Sequence, residues 1–170
     1  MTVRSRILVL GYGNPGRRDD GLGPAAAAAV EALALPHVTV ESDYQLSVED
    51  AATVAQHEAV LFMDADRSGV EPFHLRLVAP GEPVSFSSHS LSPAGVLRLA
   101  QDLFAARPAA YLLGIRGYEF DEFAEGLSPR AADNLRAAVE FLAPFLRAGT
   151  LGQGAGWASQ PEASTAPSWG

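Results

Sequence analysis

Two kinds of apolar segment alternate along the chain, and this alternation limits the folds open to it. Short runs rich in β-forming residues occupy positions 7–10, 38–40, 60–63, 73–78 and 111–115. Longer stretches with helical spacing fall at 23–35, 48–57, 93–106 and 129–148. Strands interleaved with helices predict an α/β layer fold around a mostly parallel sheet. The run before Asp64 is apolar at successive positions, as in a central strand covered on both faces. The run at 73–78 alternates apolar with polar, which places it near an edge and turns His74 outward. Ser47 with Asp50, and Ser128 with Pro129, have the form of helix starts, and Gly149 that of a helix end.

With 170 residues, the chain has room for one domain, expected over 1–149. The remainder, 150–170, is rich in Gly, Ala, Ser and Pro, lacks an apolar period, and is expected to be a disordered tail. Ile7–Leu10 is too short for a signal-peptide core, and no run is long enough to span a membrane, so a cytoplasmic protein without a membrane partner is expected.

Residue types that are missing narrow the chemistry. Without cysteine there is no disulfide, thiolate metal site or thiol nucleophile. All twelve basic residues are arginine, which removes the phosphate-loop lysine, the Schiff base and the Ser–Lys dyad. A net charge of −8 speaks against nucleic acid as a partner.

Three segments can carry chemistry. The first is "ILVLGYGNPGRRDDGLG", a strand, a glycine-rich turn and a helix start. Gly11, Gly13 and Gly16 match the G-x-G-x-x-G pattern of dinucleotide sites, and Glu41 or Asp43 could supply the acidic partner after the second strand. Against this, Asp19 and Asp20 would repel a pyrophosphate; either could instead cap the helix. The second segment, "VLFMDAD", ends a buried strand with Asp64 and Asp66, where open α/β sheets bind ligands, although both could cap the turn that follows. The third, "HSLSPAGVLRLAQDL", holds His89 in a polar loop before a helix. His37, His57 and His74 have bland placements in a loop, at a helix end and on an edge strand. Asp20, Asp64 and His89 can converge at one sheet edge, a donor set suited to Zn²⁺, Ni²⁺ or a similar divalent ion. The other reading is a non-catalytic nucleotide- or metal-binding module using the loop 11–16.

In order and approximate spacing, these three segments, together with "LLGIRGYEFDEFAEGLSPRAADNL", resemble the NiFe-hydrogenase maturation endopeptidases over roughly residues 6–147. The resemblance implies a three-layer α/β/α fold with a five-stranded sheet. It implies a peptidase, of aspartyl-type endopeptidase activity, that removes the C-terminal extension of a hydrogenase large-subunit precursor once nickel is in place. Asp20, Asp64 and His89 would be both the metal contacts and the catalytic residues. The metal would be nickel carried by the substrate, with no organic cofactor, the precursor as partner and a monomeric enzyme. Two departures are visible: the first ligand is Asp rather than Glu, and the segment after the second strand reads "ESDYQLSVED".

Overall fold

Every short apolar run forms a strand and every longer one a helix in the computed structural model, which describes residues 5–85, 91–153 and Trp157. The order is β1 (Ile7–Tyr12), α1 (Leu22–Glu31), β2 (Val38–Asp43), α2 (Val48–Val54), β3 (Ala59–Asp66), β4 (Phe73–Leu77), α3 (Pro93–Phe104), β5 (Ala109–Arg116) and α4 (Pro129–Ala148). The strands form one sheet in the order β2-β1-β3-β5-β4. All neighbours are parallel except β4, which runs antiparallel to β5 at the edge. The segment 67–72 explains the reversal: it is too short for the crossover that a parallel strand requires.

Helices cover both faces and complete three layers. On one face Val9, Leu61, Met63, Leu113 and Ile115 pack against α1 and α4. On the other, Leu8, Val60, Phe62 and Leu112 meet α2 and α3. Phe62 is fully buried, a contribution of ~2 kcal/mol from its side chain alone. The side chain of Ser92 accepts the Gly95 N–H at the start of α3, at 3.1 Å. Asp50 accepts the Ser47 N–H at the start of α2, at 2.8 Å. Gly149 ends α4 in the left-handed conformation, with φ of 71°.

One close approach positions the functional end of the sheet. A Cβ on Gly23 would lie 2.2 Å from the Tyr12 carbonyl oxygen and 2.6 Å from that of Met63. Glycine therefore lets the first turn of α1 press flat on β1 and β3, which holds the preceding loop over the carboxyl ends of these strands.

Structure extends past α4. Leu151 is buried, and the Trp157 ring packs 5.0 Å from Tyr111 and 5.2 Å from Phe145, between centroids. Both residues lie within the segment whose composition predicts a tail. Composition registers the lack of a period, but two isolated apolar side chains suffice when a groove on α4 and β5 receives them.

Candidate active site

Between β1 and α1 the chain makes a 3-10 turn, Arg18–Gly21. Gly13 carries φ of 140°, and a Cβ there would stand 2.1 Å from the Asp20 carbonyl oxygen, so the loop folds tightly back on itself. The fold-back uses up the N–H groups that would cradle a phosphate. Gly13 donates to the Asp43 carbonyl, Asn14 to Asp20 Oδ2 at 2.9 Å, Gly16 to Asn14 Oδ1 at 2.9 Å and Arg17 to the Asn14 carbonyl. Glu41 and Asp43 are exposed at the end of edge strand β2. The glycine pattern thus serves a self-bonded turn, an arrangement that does not favour the nucleotide-module reading.

The adjacent carboxylates face different ways. Asp19 is completely buried. Its oxygens accept the N–H groups of Tyr118 and Glu119 at 2.8 and 2.9 Å, and both the N–H and the hydroxyl of Ser128 at 2.7 Å. Burial by itself would raise its pKa; the donors from Glu119, Ser128 and Tyr118 prevail and hold it below the usual carboxylate range. Asp19 is therefore an ionised staple that ties the opening loop to the β5–α4 connection. Its structural role was not legible, since no sequence signal separates two neighbouring aspartates. Asp20 is half-buried, takes the Asn14 N–H, and its charge acts on Asp64.

Asp64 stands near the end of β3, next to its neighbour's N–H, which donates to Oδ1 at 2.8 Å. Burial pushes its pKa up to about 7; the Ala65 N–H and the Tyr12 hydroxyl pull it down, while the charges of Asp20 and Asp66 push it further up. No arginine or histidine among the described residues forms an ion pair with it. Tyr12, likewise raised well above its ordinary 10.0 by burial and then by Asp64, remains a protonated hydroxyl. The site therefore presents two carboxyl groups, neither of them ion-paired with a cation among the described residues.

Sheet register defines the surroundings. Asp64 pairs with Gly114 on β5, and Gly114 pairs with His74 on β4. Extending the β1–β3 register by one residue brings Tyr12 into the same row. The Asp64 and His74 backbones are thus two strand spacings apart, about 10 Å, with Gly114 between them.

His74 departs from expectation. It is 2% exposed rather than outward-facing, and its Nε2 lies 3.1 Å from Asp66 Oδ2. The alternation along β4 distinguishes its two faces but cannot say which of them meets solvent; at this edge both are covered. Asp66 also accepts the Ser68 N–H at 3.1 Å, the turn-capping role expected of it. His37 bonds the Leu146 carbonyl and His57 the Thr53 carbonyl, both structural contacts.

Of the three expected ligands, Asp20 and Asp64 come together at the carboxyl ends of β1 and β3. His89 lies outside the described residues. Just after it, Leu91 bridges to Leu46, which follows β2 at this same end of the sheet. Among the described residues no three His, Asp or Glu side chains form a metal-sized group.

Solved structures share this arrangement of strands and helices. The NiFe hydrogenase maturation protease HycI from Thermococcus kodakarensis KOD1 superposes with a TM-score of 0.66 at 22% identity, covering 86% of this chain and 95% of its own. The fold is that of the hydrogenase maturation proteases. The maturating endopeptidase HybD from E. coli matches with a TM-score of 0.61 at 23% identity, over 82% of this chain and 91% of that one. The hydrogenase 2 maturation peptidase from a Thaumarchaeota archaeon matches with a TM-score of 0.59 at 19% identity, over 83% and 97%. No protein-family model and no curated protein sequence matches the chain. Within the maturation-protease fold, the glycine-rich turn and the end of β3 form one acidic surface at a single edge of the sheet.

Proposed function

We propose that the protein is an endopeptidase that removes the C-terminal extension of a NiFe-hydrogenase large-subunit precursor after nickel insertion. Asp20, Asp64 and His89 contact the nickel, which arrives as part of the substrate. The observation that carries this reading is the half-buried Asp64 carboxyl, its pKa raised to about 7, with Asp20 beside it and no ion-paired cation among the described residues to balance them. A neutral or anionic ligand would leave that cost standing, whereas a divalent ion removes it.

The same electrostatics offer a way to read maturation state. Facing a nickel-free precursor, Asp64 retains a large protonated fraction near neutral pH. A nickel-loaded precursor supplies the positive charge that favours the ionised carboxylate, so affinity follows nickel content. Hydrolysis then adds water across the peptide bond: the acyl carbon gains oxygen, the C–N bond breaks and the amine leaves with a proton. The residues Asp20, Asp64 and His89 hold the substrate's metal and thereby the adjacent peptide in place. A monomeric enzyme in the cytoplasm fits this role, with the large-subunit precursor as its partner.

Mixing the full-length protein with nickel-loaded and nickel-free precursor, and following precursor mass, tests the proposal. Loss of a C-terminal fragment from the loaded form alone is expected. Cleavage of both forms at equal rates would remove the metal from recognition, and cleavage of neither would remove the peptidase.

A further inference from the structure

Exposed aromatic residues stand on both sides of the turn that carries Asp20. On the β2 side, the Gly13 N–H of that turn donates to the Asp43 carbonyl at 3.1 Å, and the next residue, Tyr44, is 68% exposed. On the β5 side, the Arg18 N–H donates to the Ala124 carbonyl at 2.9 Å, and the Arg17 guanidinium lies over the Phe123 ring, 4.9 Å from its centroid. Even with this contact, Phe123 is 81% exposed. Val48, in the first turn of α2, and Val70, between β3 and β4, are exposed at the same end of the sheet. Single apolar side chains are common on protein surfaces. Here two aromatic residues are fastened to one turn, and the Asp20–Asp64 pair lies between them. From β2 to β5 is three strand spacings, about 14 Å, well within a protein–protein contact of about 800 Å² per partner.

We propose that Tyr44 and Phe123 anchor a docking surface for the folded body of the precursor, the part of the substrate that carries the metal. The assignment rests on the peptidase reading. A metal held inside a polypeptide brings the chain around it against both flanks of the Asp20–Asp64 pair, and the two aromatic residues stand on those flanks. Large rings at such positions supply contact area at a low cost in side-chain freedom. Charge selects the partner. Asp43, Glu49, Asp121 and Glu125 are exposed on the same loops, and none of them forms an ion pair among the described residues. A protein surface that combines apolar patches with arginine or lysine side chains complements this arrangement. A second copy of the chain would bring acid against acid, and an anionic membrane would be repelled.

The test uses the full chain and nickel-loaded precursor. Tyr44→Ser and Phe123→Ser are each expected to raise KM about fivefold or more while leaving kcat within about twofold. The two positions lie on opposite flanks, so the double variant should show the product of the two effects. Leu103→Ser is the control: Leu103 is exposed near the end of α3, at the opposite end of the sheet, and its loss should change KM by less than about twofold. An unchanged KM in both aromatic variants, or an equal rise in Leu103→Ser, overturns the docking surface and leaves the peptidase intact. A benzophenone side chain placed at position 44, 123 or 103 gives a readout that needs no cleavage. Irradiation with precursor should give adducts from positions 44 and 123 and none from 103. Equal adducts from 103, adducts only with a second copy of the chain, or no adducts at all overturn the proposal. Precursor adducts from 44 and 123 in a protein that cleaves no precursor would uphold the docking surface and overturn the peptidase reading.

Discussion

Replacing Asp64 with asparagine should make the metal-free protein more stable while blocking processing. The carboxyl titrates at about 7 in the folded protein against an ordinary 3.8. Below about pH 4 both folded and unfolded chains carry the proton, and the site costs nothing. As pH rises, the unfolded chain ionises first, so stability falls until the folded carboxyl also ionises near pH 7; above that the loss is constant. At about 1.4 kcal/mol per pH unit, the interval sets a ceiling of ~4 kcal/mol. The asparagine side chain cannot ionise, and its carbonyl still accepts the Ala65 N–H, so the Asp64→Asn protein retains the local contact and escapes the charge penalty. Chemical unfolding of both proteins in chelator, across this pH range, provides the assay. The two stabilities should agree to within the asparagine's own packing cost at acid pH and diverge steadily toward neutrality. Above pH 7 the variant should lead by ~2–4 kcal/mol, on the order of 10 °C in Tm. Adding a divalent cation should then stabilise the wild type and leave the variant unchanged. Stability curves that run parallel from acid to neutral pH would refute the uncompensated, half-buried carboxylate, and with it the electrostatic basis for metal recognition.

Asp19→Asn should unfold the protein more easily by ~3 kcal/mol, because an amide group placed against four donors leaves at least one of them unmatched; a Tm equal to wild type would show that the staple is dispensable. Since Asp19 has a depressed pKa, its contribution should be present above about pH 4 and vanish as pH falls through its folded value, so the variant and the wild type should converge in acid. By contrast Asp20→Asn and His89→Ala should abolish processing of nickel-loaded precursor with stability changed by less than about 1 kcal/mol, read by precursor mass and by calorimetry; a fully active variant at either position removes that residue from the ligand set. Trp157→Ala should cost ~2 kcal/mol through lost contacts with Tyr111, Phe141 and Phe145; an unchanged unfolding midpoint would mean that the ring contributes nothing in solution.

Periodicity and punctuation determined the elements themselves. Helix α4 begins at Pro129 and ends at Ala148, between the Ser128 and Gly149 signals that bracket it in the sequence. Strand β3 lies at the centre of the sheet, as its unbroken apolar run requires, and β4 lies at the edge, as its alternation requires. These features are local: a cap, a turn or a two-residue period acts over a few positions, so it can be read from neighbouring letters. Asp20 and Asp64 were also legible as a pair, since strand ends of a parallel sheet share one edge. What only the tertiary structure decided concerns the direction in which particular side chains point. Asp19 and Asp20 are chemically identical neighbours, and the 3-10 turn sends one into a buried nest of donors and leaves the other beside Asp64. His74 has the spacing of a solvent-facing residue, but Asp66, eight residues earlier, holds it inside. Trp157 stands in a stretch without a pattern and finds its place against rings of β5 and α4. Each outcome depends on a partner that is brought near by strand order and helix packing rather than by chain spacing, and such contacts leave no periodic trace in the sequence.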